Sequence, residues 1–321
     1  MSVIYITLAI FGVVGTILNM IIFCVLFKVN IGSRMTLVHL RCQSLIDANL
    51  CFVTFLYKVI GESIRTGLPP LDAFFCVVWY RDSLIWLGVI LSMLNIACVS
   101  LDRFLAVFFP VAYKLHQTRF LWFTFSYIIS NSVVVFTPNL LRREYYNGNC
   151  THDAHRHGRF VDVYLRSDAY LWLILIYVVP ITFIAISHTL IIYRLAKSNR
   201  NNRGAIRMGR NTSMGRLTVS TVLMGSILVL SHSFDLITYT LSSLKLFQYQ
   251  YLAPSQQLGV LFIVWSSCLL PCVLTGFNLP IQNFFKSQFI LCKEKCKKHT
   301  ECTDRSNESV FTLSNTKNIA Q

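Results

Sequence analysis

The sequence predicts an all-α membrane protein, a seven-transmembrane helix bundle followed by a short amphipathic eighth helix. Three observations predict it. Apolar residues make up 54% of the 321 residues and charged residues only 13%, where a soluble domain carries about 25% charge; the mean hydropathy is +0.55. The apolar residues gather into seven runs, each long enough to cross a hydrocarbon core of ~30 Å as a helix. The basic residues gather on alternate connections, as they do on the cytoplasmic face of a membrane protein.

The runs cover 3–27, 36–60, 74–109, 120–141, 169–193, 217–244 and 256–285. The segments between them hold Gly, Pro, Asn and charges, with no room for a soluble domain, no internal repeat and no low-complexity tract. This predicts a seven-transmembrane domain over 1–285 and an amphipathic helix with a disordered tail over 286–321. The first run raises the possibility of a signal peptide. It is too long for one and has no basic leader, so it is expected to be a retained helix.

With the N-terminus outside, most of the 29 Lys and Arg residues fall on the inner side. The third inner connection alone carries Arg194, Lys197, Arg200, Arg203, Arg207, Arg210 and Arg216. The net charge of +15 is then a property of that face. Its dispersal over membrane loops argues against nucleic acid as a partner. Among the 11 cysteines, Cys24, Cys42, Cys51, Cys98, Cys268 and Cys272 lie in apolar runs as small packing residues. Cys292, Cys296 and Cys302 follow the last run, where S-palmitoylation is plausible. Cys76 and Cys150 lie on the outer side, where the compartment permits a disulfide.

The third run closes on Leu101-Asp102-Arg103-Phe104 and continues to Pro110-Val111. Here the sequence resembles the rhodopsin-like G-protein-coupled receptors, whose third helix ends in Asp-Arg-Tyr with Pro and an apolar residue seven and eight positions after the Arg. The resemblance implies that Asp102 pairs with Arg103 in the inactive state. It also implies that Arg103, Phe104, Pro110 and Val111 serve G-protein coupling. It joins Cys76 to Cys150, as the family joins these two places. Gly15 and Asn19 look like the first-helix signature, and Pro138 and Pro180 match prolines of the fourth and fifth helices.

Asp47 stands mid-membrane in the second run, where an ionisable residue is costly and therefore a functional candidate. Ser92 lies eleven residues before Arg103, where the family has a sodium-ligating hydroxyl. Two readings stay open: Asp47, Ser92 and Asn19 as part of a pocket for an allosteric sodium ion, or a carboxyl hydrogen-bonded to Asn19 and Ser92 without one. No other cofactor is expected. Leu279-Pro280-Ile281-Gln282-Asn283 resembles a degraded Asn-Pro-x-x-Tyr motif, and the segment beyond it alternates aromatic and basic residues as an interfacial helix does.

Several positions depart from the family. Ile128 or Ile129 stands near the place of the fourth-helix Trp, and the sixth run has Leu230-Ser231-His232-Ser233 in place of Cys-Trp-x-Pro. His188 replaces an activating tyrosine. Cys76 is two residues further from Arg103 than the family spacing. The inner end of the sixth run has no acid to hold Arg103, which predicts measurable ligand-free activity.

For the ligand, retinal is disfavoured because no Lys lies between Gly259 and Phe285. Small amines are disfavoured because Ile85 stands where aminergic receptors have Asp. Asp235 is the sharper feature. It lies three residues after His232, on one helical face with it. Either it meets a basic ligand group, with Tyr177, Tyr239 and Trp86 as aromatic walls and Asp82 nearby, or it pairs internally with His232. The long outer segment 139–168 offers Arg142, Arg143, Glu144, Tyr145, Tyr146 and Asp153 as candidate peptide contacts, or is a solvated lid with no specific role. Asn149-Cys150-Thr151 is a glycosylation sequon.

The expected protein is a plasma-membrane receptor, with its N-terminus outside and C-terminus in the cytoplasm. It passes an extracellular signal, most simply a neuropeptide, to a heterotrimeric G protein. Ser/Thr spacing at Thr300, Thr303, Ser306, Ser309 and Thr312 suits arrestin once phosphorylated. An invertebrate-type chemosensory receptor is the alternative within the family, and a transporter or channel the alternative outside it. It is not expected to be an enzyme: Ser231, His232 and Asp235 are helical neighbours and cannot form an attack geometry with an oxyanion hole.

Overall fold

A computed structural model describes residues 2–152, 158–201, 213–243, 252–291 and 293. Over these residues the helices are α1 (Ser2–Val25), α2 (Arg34–Ile60), α3 (Pro69–Val78), α4 (Ser83–Phe108), α5 (Pro110–Leu141), α6 (Arg159–Leu171), α7 (Val179–Asn201), α8 (Ser213–Ser243) and α9 (Pro254–Phe277). A two-stranded hairpin, β1 (Arg143–Tyr146) with β2 (Asn149–His152), follows α5. Six stretches among the described residues are long and apolar enough to cross a membrane on their own. The seventh crossing is α2. It has 27 residues but carries Arg34, Arg41, Asp47 and Lys58, and it buries Thr36, His39, Gln43, Ser44, Asp47 and Thr54 inside the bundle.

The third apolar run is two helices, not one. α3 ends at Val78, and a single 3-10 turn over Tyr80–Asp82 precedes α4. Arg81 and Asp82 adopt left-handed backbone angles, with φ of 53° and 54°. A β-carbon makes that region unfavourable, so side-chain contacts must hold the turn. Trp86 Nε1 donates to Asp82 Oδ1 at 3.0 Å and Gln256 Nε2 to Asp82 Oδ2 at 3.2 Å, drawing the carboxylate inward. The two surplus residues between Cys76 and Arg103 are thus absorbed in the break.

The fifth run also differs. The helix starts at Arg159, ten residues into what reads as outer loop, and passes through a π-helical segment, Trp172–Val178, just before Pro180. Proline has no N–H to continue the ladder, and a π segment re-registers the carbonyls beside it. α5 bends at His116, which separates its inner-loop turns from its membrane turns.

The bundle closes on small contacts. A β-carbon at Gly15 of α1 would lie 2.5 Å from Cys51 Sγ and 2.8 Å from Cys268 Sγ, so α1, α2 and α9 meet only because that position is bare. α9 contains Pro271 and ends at Asn278, whose amide caps Leu274 O at 2.7 Å. The seventh run therefore stops short of 285. Pro280 opens a separate helix over 279–291, and the proline inside the seventh membrane helix is Pro271. The chain divides into two units after Asn278.

Candidate functional site

At the inner end of α4, Arg103 is almost fully buried, with 1% exposure, and Asp102 entirely so. Arg103 Nε donates to Asp102 Oδ2 at 2.9 Å, and its Nη2 contacts both Asp102 Oδ2 and Thr36 Oγ1. Thr36 Oγ1 donates to the same carboxylate oxygen at 2.7 Å, while Tyr113 OH bonds Asp102 Oδ1 and Ser33 Oγ. Ser33 and Thr36 are also the reciprocal capping box that starts α2. The N-terminus of α2, the end of α4 and the start of α5 are thereby tied through one carboxylate. Phe104 stacks on Phe108 with ring centroids 4.7 Å apart, and Arg194 of α7 lies 4.8 Å over the Phe108 ring. Pro110 is the first residue of α5, and beside it Val111 is 72% exposed.

Mid-membrane, a hydrogen-bonded chain crosses four helices. Asp47 Oδ1 accepts from Ser92 Oγ at 3.0 Å and Ser267 Oγ at 3.4 Å. Asp47 Oδ2 accepts from Gln43 Nε2 at 2.9 Å. Gln43 Oε1 accepts from Asn95 Nδ2, which also donates to the His39 carbonyl. His39 continues to Asn95 Oδ1 at 2.9 Å and to Thr124 Oγ1 of α5 at 3.0 Å. The carbonyl of His39 can only accept, so it fixes the Asn95 amide, and the Asn95 amide fixes that of Gln43. The Gln43 N–H groups must then face Asp47 and Ser92, 2.7 Å from the latter.

A sodium ion needs oxygen donors around it. At Asp47 the approach is filled by an amide nitrogen, so these residues do not fit the ion. Asn19 is also not a partner of the carboxylate: its Nδ2 donates to the Gly15 and Ser267 carbonyls, both at 2.9 Å. Asp47 is bonded by Gln43, Ser92 and Ser267. Further along the bundle, His188 sits against Gly225 of α8 and its Nε2 lies 3.1 Å from Ser100 Oγ of α4, a tie where the family has its tyrosine.

The outer end holds a cavity of about 300 Å³. Asp82, Trp86, Asp235 and Tyr239 line it. Tyr177 lies behind the wall, its hydroxyl 3.5 Å from Asp235 Oδ2. His232 is set apart: its Nδ1 donates to the Leu228 carbonyl at 2.8 Å and its Nε2 has no partner, so it does not pair with Asp235. The sequence did not single out Asp168, Trp172, Asn139, Gln256 or Arg81 as part of this wall. Asp168 stands at the end of a segment that reads as loop, although the alternation of Arg159, Asp162, Arg166 and Asp168 with apolar residues is a helical signal; Trp172 lies in the fifth apolar run, where nothing in the sequence marks the cavity-facing side.

The roof is the hairpin. Asn147 and Gly148 both have positive φ, 49° and 77°, the turn that suits a two-residue connection. Cys150 of β2 is bonded to Cys76 of α3, with Cα atoms 5.5 Å apart. On β1, Arg143 points inward and donates to Ser83 Oγ at 2.6 Å. Burial pulls its guanidinium down to about 10, with nearby Asp82 opposing, so it stays charged at neutral pH. Arg142 pairs with Asp168 Oδ2 at 3.0 Å and donates to the Leu165 carbonyl at 2.5 Å. Asn149 is exposed, with its Oδ1 accepting from Arg65 at 3.1 Å. Cys292, Cys296, Asp153 and the Ser/Thr row of the tail lie outside the described residues.

A membrane bundle with a buried Asp-Arg pair at one end and a disulfide-roofed polar cavity at the other has the architecture of a ligand-gated signalling receptor. The family model "7 transmembrane receptor (rhodopsin family)" matches residues 18–303, and the chain belongs to that family. It is a multi-pass, non-enzymatic membrane protein that signals through G proteins. No curated protein matched the chain in comparison.

Proposed function

We propose that this receptor is activated by an extracellular peptide bound in the outer cavity, at the plasma membrane. The observation that carries this is the cavity itself. Its wall holds the acids Asp82, Asp168 and Asp235, and Arg142 and Arg143, at the end of α5 and the start of the β-hairpin roof, line it as well. Six charged side chains, Arg81, Asp82, Arg142, Arg143, Asp168 and Asp235, line it, where small-molecule and lipid sites carry only a few polar groups. Asp235 takes a basic group of the peptide, with Trp86 and Tyr239 beside it and Tyr177 supporting the carboxylate.

Binding shifts the bundle between two arrangements. The inner one breaks the Asp102–Arg103 contact and presents Arg103, Phe104, Pro110 and Val111 to the G protein. The exposure of Val111 beside the start of α5 supports that role. Arrestin recruitment by the tail, acylation of Cys292 and Cys296, and a glycan on Asn149 complete the proposal. The test is a panel of neuropeptides, amidated and free, applied to cells that express the full chain with a promiscuous G protein. A saturable response lost in Asp235→Asn is the expected outcome. A response to volatile or apolar compounds alone would favour the chemosensory reading.

A further inference from the structure

Buried polar groups in proteins are almost always hydrogen-bonded, and each exception calls for an explanation. Two exceptions line the outer cavity: Asp168 Oδ1 and Arg143 Nε have no partner. Their residues are only 4% and 6% exposed. The two are held on different walls. Arg143 Nη1 is fixed to Ser83 Oγ at 2.6 Å, at the start of α4. Asp168 Oδ2 is fixed by Arg142 at 3.0 Å, on the α5–α6 side. Each side chain therefore uses one edge for the scaffold and has no partner on the other; both residues line the cavity, their unpartnered atoms are closed to solvent, and neither satisfies the other.

The charges of the wall point the same way. Three carboxylates, Asp82, Asp168 and Asp235, are matched by three guanidinium groups, Arg81, Arg142 and Arg143. A purely cationic peptide tip would meet arginines as well as acids, with nothing to offer the former. A group carrying both signs would meet complementary partners for each.

Resting on the reading of this cavity as the ligand site, we propose that it takes a zwitterionic ligand: a short peptide with free ends, or the free charged end of a longer one. Its ammonium or basic side chain donates to Asp168 Oδ1, and its carboxylate accepts from Arg143 Nε. The volume of about 300 Å³ lies at the lower end for ligand pockets, which suits a ligand portion of only a few residues. Arg143 also closes the roof onto the α3–α4 break, so an anion bound to it couples ligand arrival to the hairpin.

The experiment applies four probe sets to cells expressing the full chain: tripeptides with free ends, the same tripeptides C-amidated, the same N-acetylated, and free amino acids. Free-ended tripeptides should respond, with potency falling at least tenfold when either end is capped. Equal potency of the amidated set would overturn the zwitterion and leave the peptide reading standing. Responses confined to free amino acids would keep the zwitterion and remove the peptide. Silence in all four sets from a surface-expressed receptor would overturn both. Arg143→Lys keeps a charge to hold Ser83 but supplies no Nε donor. Carrying the best free-ended probe, it should lose at least tenfold in potency at unchanged surface expression, and its C-amide should lose less. Equal losses for acid and amide would make Arg143 a roof clamp only.

Discussion

The two ends of the bundle treat their charges in opposite ways. At the inner end, Asp102 and Arg103 are buried together and bonded to each other, to Thr36 and, through Asp102, to Tyr113. At the outer end, charges of both signs surround an open volume, and two buried polar atoms remain without a partner. A buried ion pair that is fully bonded holds one arrangement, because removing either partner costs about 3–5 kcal/mol. A buried group left unsatisfied costs about 1–3 kcal/mol, which a ligand that completes it can return. The difference teaches how the receptor divides its work: the inner end stores a closed state, and the outer end stores the free energy that a ligand can release.

The comparison breaks most severely if Arg103 is removed. Arg103→Ala should reduce ligand-driven G-protein activation to the level of cells lacking the receptor, at matched surface expression, as read by nucleotide exchange. Retained signalling would separate Arg103 from coupling. Next in size is the roof. Cys76→Ser or Cys150→Ser should sharply lower surface expression and ligand response, since losing a native disulfide costs about 2–5 kcal/mol in small secreted domains. Antibody staining of intact cells checks it.

A smaller effect is expected at the helix junction. Gly15→Val would place methyl groups against Cys51 and Cys268 and should lower the melting temperature of the purified receptor, as overpacking by about 1–3 kcal/mol does. The smallest expected effect is none. The melting temperature should be the same in sodium chloride and in N-methyl-D-glucamine chloride, because the Gln43 amide stands where an ion would bind. A saturable, sodium-specific rise would show that Gln43 swings away.

Much of the bundle was legible in the sequence, for a physical reason: a span must bury about 20 residues in hydrocarbon, and that length leaves a long signature. The Asp102–Arg103 pair was legible from its spacing to Pro110. The break at Tyr80–Asp82 was not, because an apolar run looks the same whether or not its backbone turns. Its one trace was the two-residue excess after Cys76. Pro280 drew the seventh-helix motif downstream, although Leu279 precedes it, while Asn278 caps the helix and Pro271 lies inside it. The chain from Asp47 to Thr124 could not be read at all. It joins α2, α4, α5 and α9, and only the fold brings Gln43, Asn95 and His39 into register. The sequence shows no acid at the inner end of the sixth run to hold Arg103, which suggested measurable ligand-free activity; because Asp102 holds Arg103 together with Thr36 and Tyr113, we expect that activity to be low.

That expectation gives the most direct measurement. Asp102→Asn removes the charge that Arg103, Thr36 and Tyr113 share and leaves the shape of the side chain nearly unchanged. Ligand-free nucleotide exchange on the G protein, at equal surface expression, should be low for the native chain and rise several-fold in Asp102→Asn. Equal rates in the two proteins would contradict the account, because the closed inner end would then owe nothing to this carboxylate.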